Sequence, residues 1–496
     1  MPDRATAARH RCAGLRADRC IPDSPDRRDA AGNDPEERVM IDLSIVGGTV
    51  VTTDGETPLD VHVDGGVIVA LTGPHSAAAL TARETIDASG LHVLPGCVEP
   101  HAHLGLGDGA EDWRTETAAA AIGGVTTVFN YVMGASSYFE QVPAEHEAAA
   151  GRTHVDYALH VVPCTRNHLD ELDRYVTELG VTSFKFFMSF RADEGAYLGI
   201  EGTDDGYLYD YLQRVARHPG AIANIHAENI EVVWRLREAA KAAGEDGHAA
   251  WNRSRPGFVE AEATTRAAAF GLETGAPVYI VHTSAGETVG AAQRARELRP
   301  TGAPPLHLET CAHYLTHTED TDLGMIAKAN PPLRSAADTE RLWAAVADGT
   351  IQTIGSDHSP RHRSKKTGTV WRSPAGIAGI GAQLVVLLSE GHHRRGVPLS
   401  RIVELTSTNP AKIFGVYPQK GTIAVGSDAD LALVALDETR VVEPDSFGGR
   451  AEYNLYERTA MTGWPVSTIL RGTVVMRDGA IVAEPGIGSY LFRAAS

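Results

Sequence analysis

From Ile41 to about Ile86, apolar and polar residues alternate in short runs broken by turn signals: IDLSIVGGTVVTTDG, then DVHVDGGVIVALTG. Such runs predict half-buried strands, and Gly47-Gly48, Asp54-Gly55 and Asp64-Gly65 predict the tight turns between them. The same texture returns near the end of the chain in GTIAVGSDADLALVAL and VSTILRGTVVMRDGAIV, with Asp478-Gly479 as a further turn. Two β-rich flanks around a different middle predict one small sheet domain assembled from both ends of the chain. That arrangement brings the two ends of the central domain together.

The middle, from about Leu91 to Gly415, alternates short apolar runs with Ala-rich helical stretches, the pattern of successive β/α units. Eight candidate strands follow in order: HVLPGCVEPHAHL (92–104), VTTVFNYV (125–132), VDYALHVVP (155–163), VTSFKFFMSF (181–190), AIANIHAE (221–228), PVYIVHTS (277–284), PLHLETC (305–311) and TIQTIGSDHSP (350–360). Eight strands with helices between them predict an α/β fold of the (β/α)8, TIM-like barrel type, whose chemistry sits at the C-terminal ends of the strands. The helix-rich segment from Asn229 to Gly271 exceeds a minimal connection and predicts an added lid or subunit contact.

Ionisable residues fall at or near the C-terminal ends of these otherwise apolar strands. His101 and His103 close the first, Lys185 sits inside the fourth, His226 closes the fifth, His282 the sixth and Asp357 the eighth. In an extended segment the side chains at i and i+2 point the same way, so His101 and His103 can face one cavity. A single buried histidine is most often a satisfied core residue. Four of them with an aspartate, all closing barrel strands, predict a metal site, and this donor mix suits zinc or a similar divalent ion such as manganese, cobalt or nickel. An ammonium at Lys185 in VTSFKFF faces an apolar environment unless it is paired, neutralised or reaches out to water at the strand end. A neutral amine there can also take up carbon dioxide, and the resulting carbamate has two oxygens able to bridge two cations. Among these histidines the carbamate is the reading adopted.

Composition narrows the partners. The formal charge of −19 argues against nucleic acid or an anionic membrane surface, since neither attracts a net acidic protein. No apolar run approaches the roughly 20 residues of a membrane span. Five cysteines, Cys12, Cys20, Cys97, Cys164 and Cys311, are an odd count without paired spacing, which fits a reduced cytoplasm better than a disulfide framework. Residues 1–39 are rich in Arg, Asp and Ala, carry Arg27-Arg28 without a following apolar core, and are expected to be disordered. Met40, just before the first strand-like run, is an alternative start.

HAH at 101–103, SFKFFM at 183–188, HAEN at 226–229, VHTS at 281–284, ETCAHYL at 309–315 and GSDHSP at 355–360 resemble the cyclic amidohydrolases, and within them the hydantoinase and dihydropyrimidinase group. YPQKGTIAVGSDADL at 417–431 agrees, so the resemblance covers nearly everything after Met40. It implies a barrel with a flanking β-sandwich: sandwich residues 40–90 and 415–485, a hydrolase barrel over 91–414, and a C-terminal tail over 486–496. It also implies a binuclear site, with His101, His103, carboxylated Lys185 and Asp357 on the more buried metal and Lys185, His226 and His282 on the other. Asp357 would then be ligand and proton carrier, or ligand alone. The reaction implied is opening of the cyclic amide of a hydantoin or dihydropyrimidine ring to an N-carbamoyl amino acid, by a homotetramer or dimer.

Typical members end the fourth strand with a tyrosine that assists at the substrate carbonyl. Phe190 stands there and cannot donate a hydrogen bond, which favours an L-selective or otherwise atypical hydantoinase. Main-chain groups near Ala312 and Ala375 are implied to hold the ring, and the loop from Arg191 to Tyr207 to cover its substituent. Three alternatives stand beside this reading. An allantoinase or other cyclic amide hydrolase shares the ligands. A dihydroorotase would carry an arginine shortly after the paired histidines, and HAHLGLGDG has none. A non-catalytic relative would have lost ligands that are all present here.

Overall fold

In the computed structural model the chain is described for residues 39–74, 76, 80–191 and 202–494. The expected disordered segment therefore lies outside the described residues but for Val39, as does most of the loop after Arg191.

The eight expected barrel strands all form: β1 (Cys97–Ala102), β2 (Val125–Val132), β3 (Asp156–Val161), β4 (Ser183–Phe187), β5 (Ile222–His226), β6 (Val278–Ile280), β7 (Leu306–Cys311) and β8 (Thr353–Gly355). They pair in chain order, parallel throughout, as one eight-stranded sheet. A parallel bridge between Ala102 and His358 brings the last strand back to the first. Helices cross between successive strands, for example Asp112–Ile122 after β1 and Arg166–Leu179 after β3, so the strands are covered on both faces. This is why they read as nearly continuous apolar runs. The stretch after β5 carries three helices, Ile230–Ala242, His248–Ser254 and Gly257–Thr274.

The first expected strand is two strands. His92–Pro95 pairs with Leu431–Val441 and Thr49–Thr52 outside the barrel, and only Cys97–Ala102 enters it. The hinge is Gly96, where an added Cβ would lie 2.2 Å from the Thr126 hydroxyl oxygen, so only glycine lets the chain turn against β2. His103 thus stands just past the strand rather than in it.

Both ends of the chain build the flanking sandwich. One sheet orders Val67–Thr72, Asp60–Asp64, Val39–Val46 and Leu80–Asp87; the other runs from Ala480–Ile481 through Ala460–Leu470, Leu431–Val441 and His92–Pro95 to Gly55–Pro58. Ile45, Val61 and Val63 from the first sheet pack on Val50, Val93, Leu433 and Ile469 from the second. Three of the four turn signals mark true hairpins, as where Arg477 pairs with Ala480 around Asp478 and Gly479, whose φ values of 50° and 81° are those of a type I′ turn, whereas Gly47-Gly48 carries the chain from Val39–Val46 in one sheet to Thr49–Thr52 in the other. Past the sandwich, Ser489 to Arg493 returns to the barrel, where Leu491 donates its backbone N–H to Tyr157 and Arg493 is buried. No helix among the described residues is long and apolar enough to cross a membrane.

Candidate metal centre

At the C-terminal mouth of the barrel, His101, His103 and Asp357 place their donor atoms within 4.8 Å of one another. Asp357 Oδ1 is 3.2 Å from His101 Nε2 and 3.1 Å from His103 Nε2. The other face of His101 is fixed, because its Nδ1–H donates to Glu309 Oε1 at 2.7 Å and so leaves the Nε2 lone pair for the cavity. Glu309 is itself held from β6, accepting from the backbone N–H of His282 and from the Tyr279 hydroxyl, each at 2.8 Å. Glu99 joins β1 to the end of β8 through bonds from the backbone N–H of His101 (2.8 Å) and of Ser356 (3.0 Å), and burial pushes its carboxyl up to about 8.

Lys185 comes from the middle of β4 and is fully buried. Its Nζ lies 3.4 Å from His101 Nε2 and 4.6 Å from the centre of the Tyr131 ring, without a carboxylate in bonding distance among the described residues. Burial pushes the amine down to about 8, against the weaker opposing pull of Asp357 and Glu309. His226 and His282 meet with ring centres 4.5 Å apart, and the His282 ring stacks 5.4 Å from His101. His226 is oriented as His101 is: its Nε2–H donates to Glu228 Oε2 at 2.7 Å, and Arg255 Nη1 donates to the same oxygen at 2.6 Å. Arg255 holds Glu228 ionised, with its carboxyl down at about 2 despite burial.

Two residues of the site, His282 at φ 40° and Asp357 at φ 48°, hold left-handed backbone without being glycine. Such a conformation costs about 1–2 kcal/mol per residue and is retained where a side chain must be aimed. Burial would raise the Asp357 carboxyl, yet His101 and His103 hold it well below the carboxylate range. The residues fit a cation. His282 Nδ1 is buried without a hydrogen-bond partner, and three further donors already converge.

The substrate-side expectations are more dispersed. Phe190 lies past β4, stacked on Phe187 at 4.1 Å, and Phe187 lies 5.4 Å from the His226 ring. Ala312 is buried just after β7. Ala375 lies in the loop after β8, and its carbonyl accepts from Arg361 Nε at 3.3 Å. Neighbouring carbonyls of that loop are also capped by cations. Lys366 Nζ donates to Pro374 (3.0 Å) and Gly376 (2.7 Å), and Lys328 Nζ donates to Ser373. Burial pushes these two amines down to about 7 and about 8. Sequence reasoning missed Glu309, Glu228, Arg255 and Arg361. The two glutamates stood inside the quoted ETC and HAEN stretches as acids beside ligand candidates, whereas Arg255 carried no local signal.

Imidazoles and a carboxylate gathered at the C-terminal mouth of an eight-stranded barrel define the class: a barrel hydrolase that works with a divalent metal. The chain belongs to the amidohydrolase family, whose model matches residues 92–475. It is 34% identical over 471 residues to a D-hydantoinase of Ralstonia pickettii, covering 91% of this chain and 99% of that one. An allantoinase of Deinococcus radiodurans is 36% identical over 462 residues, covering 90% and 98%. Among solved structures, the L-hydantoinase (dihydropyrimidinase) from Arthrobacter aurescens superposes with a TM-score of 0.85 at 32% identity, covering 92% of this chain and 100% of that one. The protein is a cyclic amidohydrolase, acting on carbon–nitrogen bonds other than peptide bonds.

Proposed function

We propose that this enzyme opens the cyclic amide of a hydantoin or dihydropyrimidine ring to give an N-carbamoyl amino acid, using two divalent ions, zinc foremost. His101, His103, Lys185 as its carbamate and Asp357 would hold the more buried ion, and Lys185, His226 and His282 the other. The observation that carries this reading is the fully buried Lys185 amine, without a carboxylate and 3.4 Å from His101 Nε2. The ammonium first gives up a proton; the neutral amine then attacks carbon dioxide, forms the N–C bond and loses a second proton, leaving a carbamate whose two oxygens could hold two cations. Two ions so held would lower the pKa of a bound water and polarise the scissile carbonyl.

The protein's own groups do the rest. Glu309 and Glu228 fix the tautomers of His101 and His226, so each presents one lone pair inward. Asp357 is ionised at neutral pH, and takes a proton from the attacking water and delivers it to the leaving ring nitrogen. The Phe190 side chain has no donor to offer a carbonyl, and its ring stacks on Phe187. The absence of a hydroxyl there favours an L-selective or otherwise atypical hydantoinase, with allantoin as the second reading because an allantoinase is among the relatives. The odd cysteine count, with Cys97, Cys164 and Cys311 all free and buried, supports a cytoplasmic enzyme, and the family resemblance a homotetramer or dimer.

The test is ring opening by metal-reconstituted enzyme on dihydrouracil, allantoin, dihydroorotate and both enantiomers of several 5-substituted hydantoins, read as the N-carbamoyl product. Turnover of a hydantoin series is expected. Preference for allantoin would install the second reading, and silence across the panel with two metals bound would refute both.

A further inference from the structure

On the loops at the barrel mouth lies a cavity of about 220 Å³ lined by Leu106, Gly107, Arg361, His362, Lys365 and Pro374. Its walls are the two loops that leave the metal-site residues. Leu106 and Gly107 follow His103, Arg361 follows Asp357, and the loops touch so closely that a Cβ on Gly107 would lie 2.5 Å from the Pro360 carbonyl. Pro374 adjoins Ala375, whose carbonyl is bonded by Arg361 Nε. That volume is small for a whole ligand but ample for a substituent projecting from a ring seated at the metals.

The charge around this cavity is one-sided. The carboxylates nearby are already engaged: Asp108 by His362 at 3.1 Å and Arg450 at 2.5 Å, Asp112 by the backbone N–H groups of Gly105, Gly107 and Asp108, and Glu457 by Arg363 at 2.6 Å. Among the described residues, the Nη1 and Nη2 groups of Arg361 and the Lys365 ammonium have no carboxylate or hydrogen-bond partner. Arg361 and Lys365 thus place two cations without a carboxylate partner on one wall of the cavity. One nitrogen of Arg361 is anchored on Ala375, which fixes the plane of the guanidinium and leaves its outer edge free for a two-point contact.

We propose that Arg361, supported by Lys365, is a specificity determinant of this site and selects ring substrates whose substituent carries a carboxylate. This deepens the ring-opening reading and rests on it. A carboxylate on a short stem would meet the guanidinium edge, with the ring amide left at the metals.

The test compares hydantoin-5-acetate with its uncharged carboxamide isostere on the zinc-reconstituted full-length enzyme, by kcat/KM and by calorimetric binding. The carboxylate is expected to be preferred by about tenfold or more, as a charge-assisted hydrogen bond supplies, and the preference should shrink in high salt. R361Q should bring the carboxylate-to-amide ratio close to one, R361K should keep part of it, and K365Q should lower it less. A folding or loop defect would depress both substrates and leave the ratio intact, which separates it from lost recognition. Equal handling of the two compounds by the parent enzyme, no binding of either, or an unchanged ratio in R361Q overturns the proposal. If neither ring opens but the carboxylate still binds better through Arg361, the ring-opening reading fails while this one stands.

Discussion

Lys185 and Lys420 are both withdrawn from water, at 0% and 1% exposure, in two regions with opposite chemistry. Lys420 sits where the sandwich meets the N-terminal end of the barrel. Its Nζ is 2.5 Å from Asp156 at the start of β3, 2.9 Å from Asp428 and 2.7 Å from Asp430. Burial works against that ammonium, but the three carboxylates outweigh it and raise its pKa. Lys185 sits at the other end, among histidines and the rings of Tyr131 and Phe187, and burial pushes it down to about 8. A lysine kept for structure is surrounded by compensation, whereas one left uncompensated in a packed strand is a candidate for chemistry at its amine.

Substitution at the uncompensated lysine has the largest expected effect. Lys185→Ala should lower turnover by about 10⁴-fold or more if, as proposed, Lys185 helps to hold the water-activating metals, while the melting temperature of the metal-free protein holds or rises. Metal analysis and scanning calorimetry on one preparation check both. Partial rescue by a short carboxylic acid would support the carbamate, and full metal content in the variant would refute it. Asp357→Asn sharpens the same side. It should retain much of the metal and lose about 10²–10⁴-fold in kcat, the range of a general acid–base group. A metal-replete variant with substantial activity would reduce Asp357 to a ligand.

Lys420→Met should reverse the pattern. With three carboxylates left facing each other beside Arg471, the cost is about 3–5 kcal/mol of stability, read from the denaturant midpoint. Metal content and kcat of the folded fraction should match the parent. Loss of metal without loss of stability would collapse the distinction between the two lysines.

The sequence shows one side of this contrast better than the other. Lys185 stood out because a charged residue inside VTSFKFF breaks an apolar run, and the eight strands were legible because parallel strands covered on both faces leave such runs. Lys420 gave no comparable signal: Asp428 and Asp430 are near it in sequence, but Asp156 is contributed by β3, and that meeting is made only by the fold. Long-range pairing also hid Arg255 behind Glu228 and Glu309 behind His101. The split of the first strand at Gly96 was hidden for another reason. The backbone is extended on both sides, and only the approach of Thr126 reveals that the pairing partner changes. Arg361 lay in a basic run, RHRSKK, whose members part ways in space, with Arg363 going to Glu457, Lys366 to backbone carbonyls and Arg361 to the cavity.

The smallest predicted effect is the most direct reading of the difference. Carbamate formation requires the neutral amine, and with Lys185 at about 8 in the metal-free protein that form dominates above pH 8 and falls about tenfold for each unit below. At fixed dissolved carbon dioxide and metal, activation of the metal-free enzyme should therefore quicken from pH 6 to 8 and level off beyond. The sign follows from the lowered pKa, since the group sheds its proton earlier than an exposed lysine and becomes reactive earlier. An ordinary lysine would still be gaining reactivity toward pH 10, so continued acceleration through pH 9 and 10 would show that burial does not prepare this amine. Lys420, held charged by its carboxylates, contributes nothing to this profile, and Lys420→Met should leave the position of the plateau where it is.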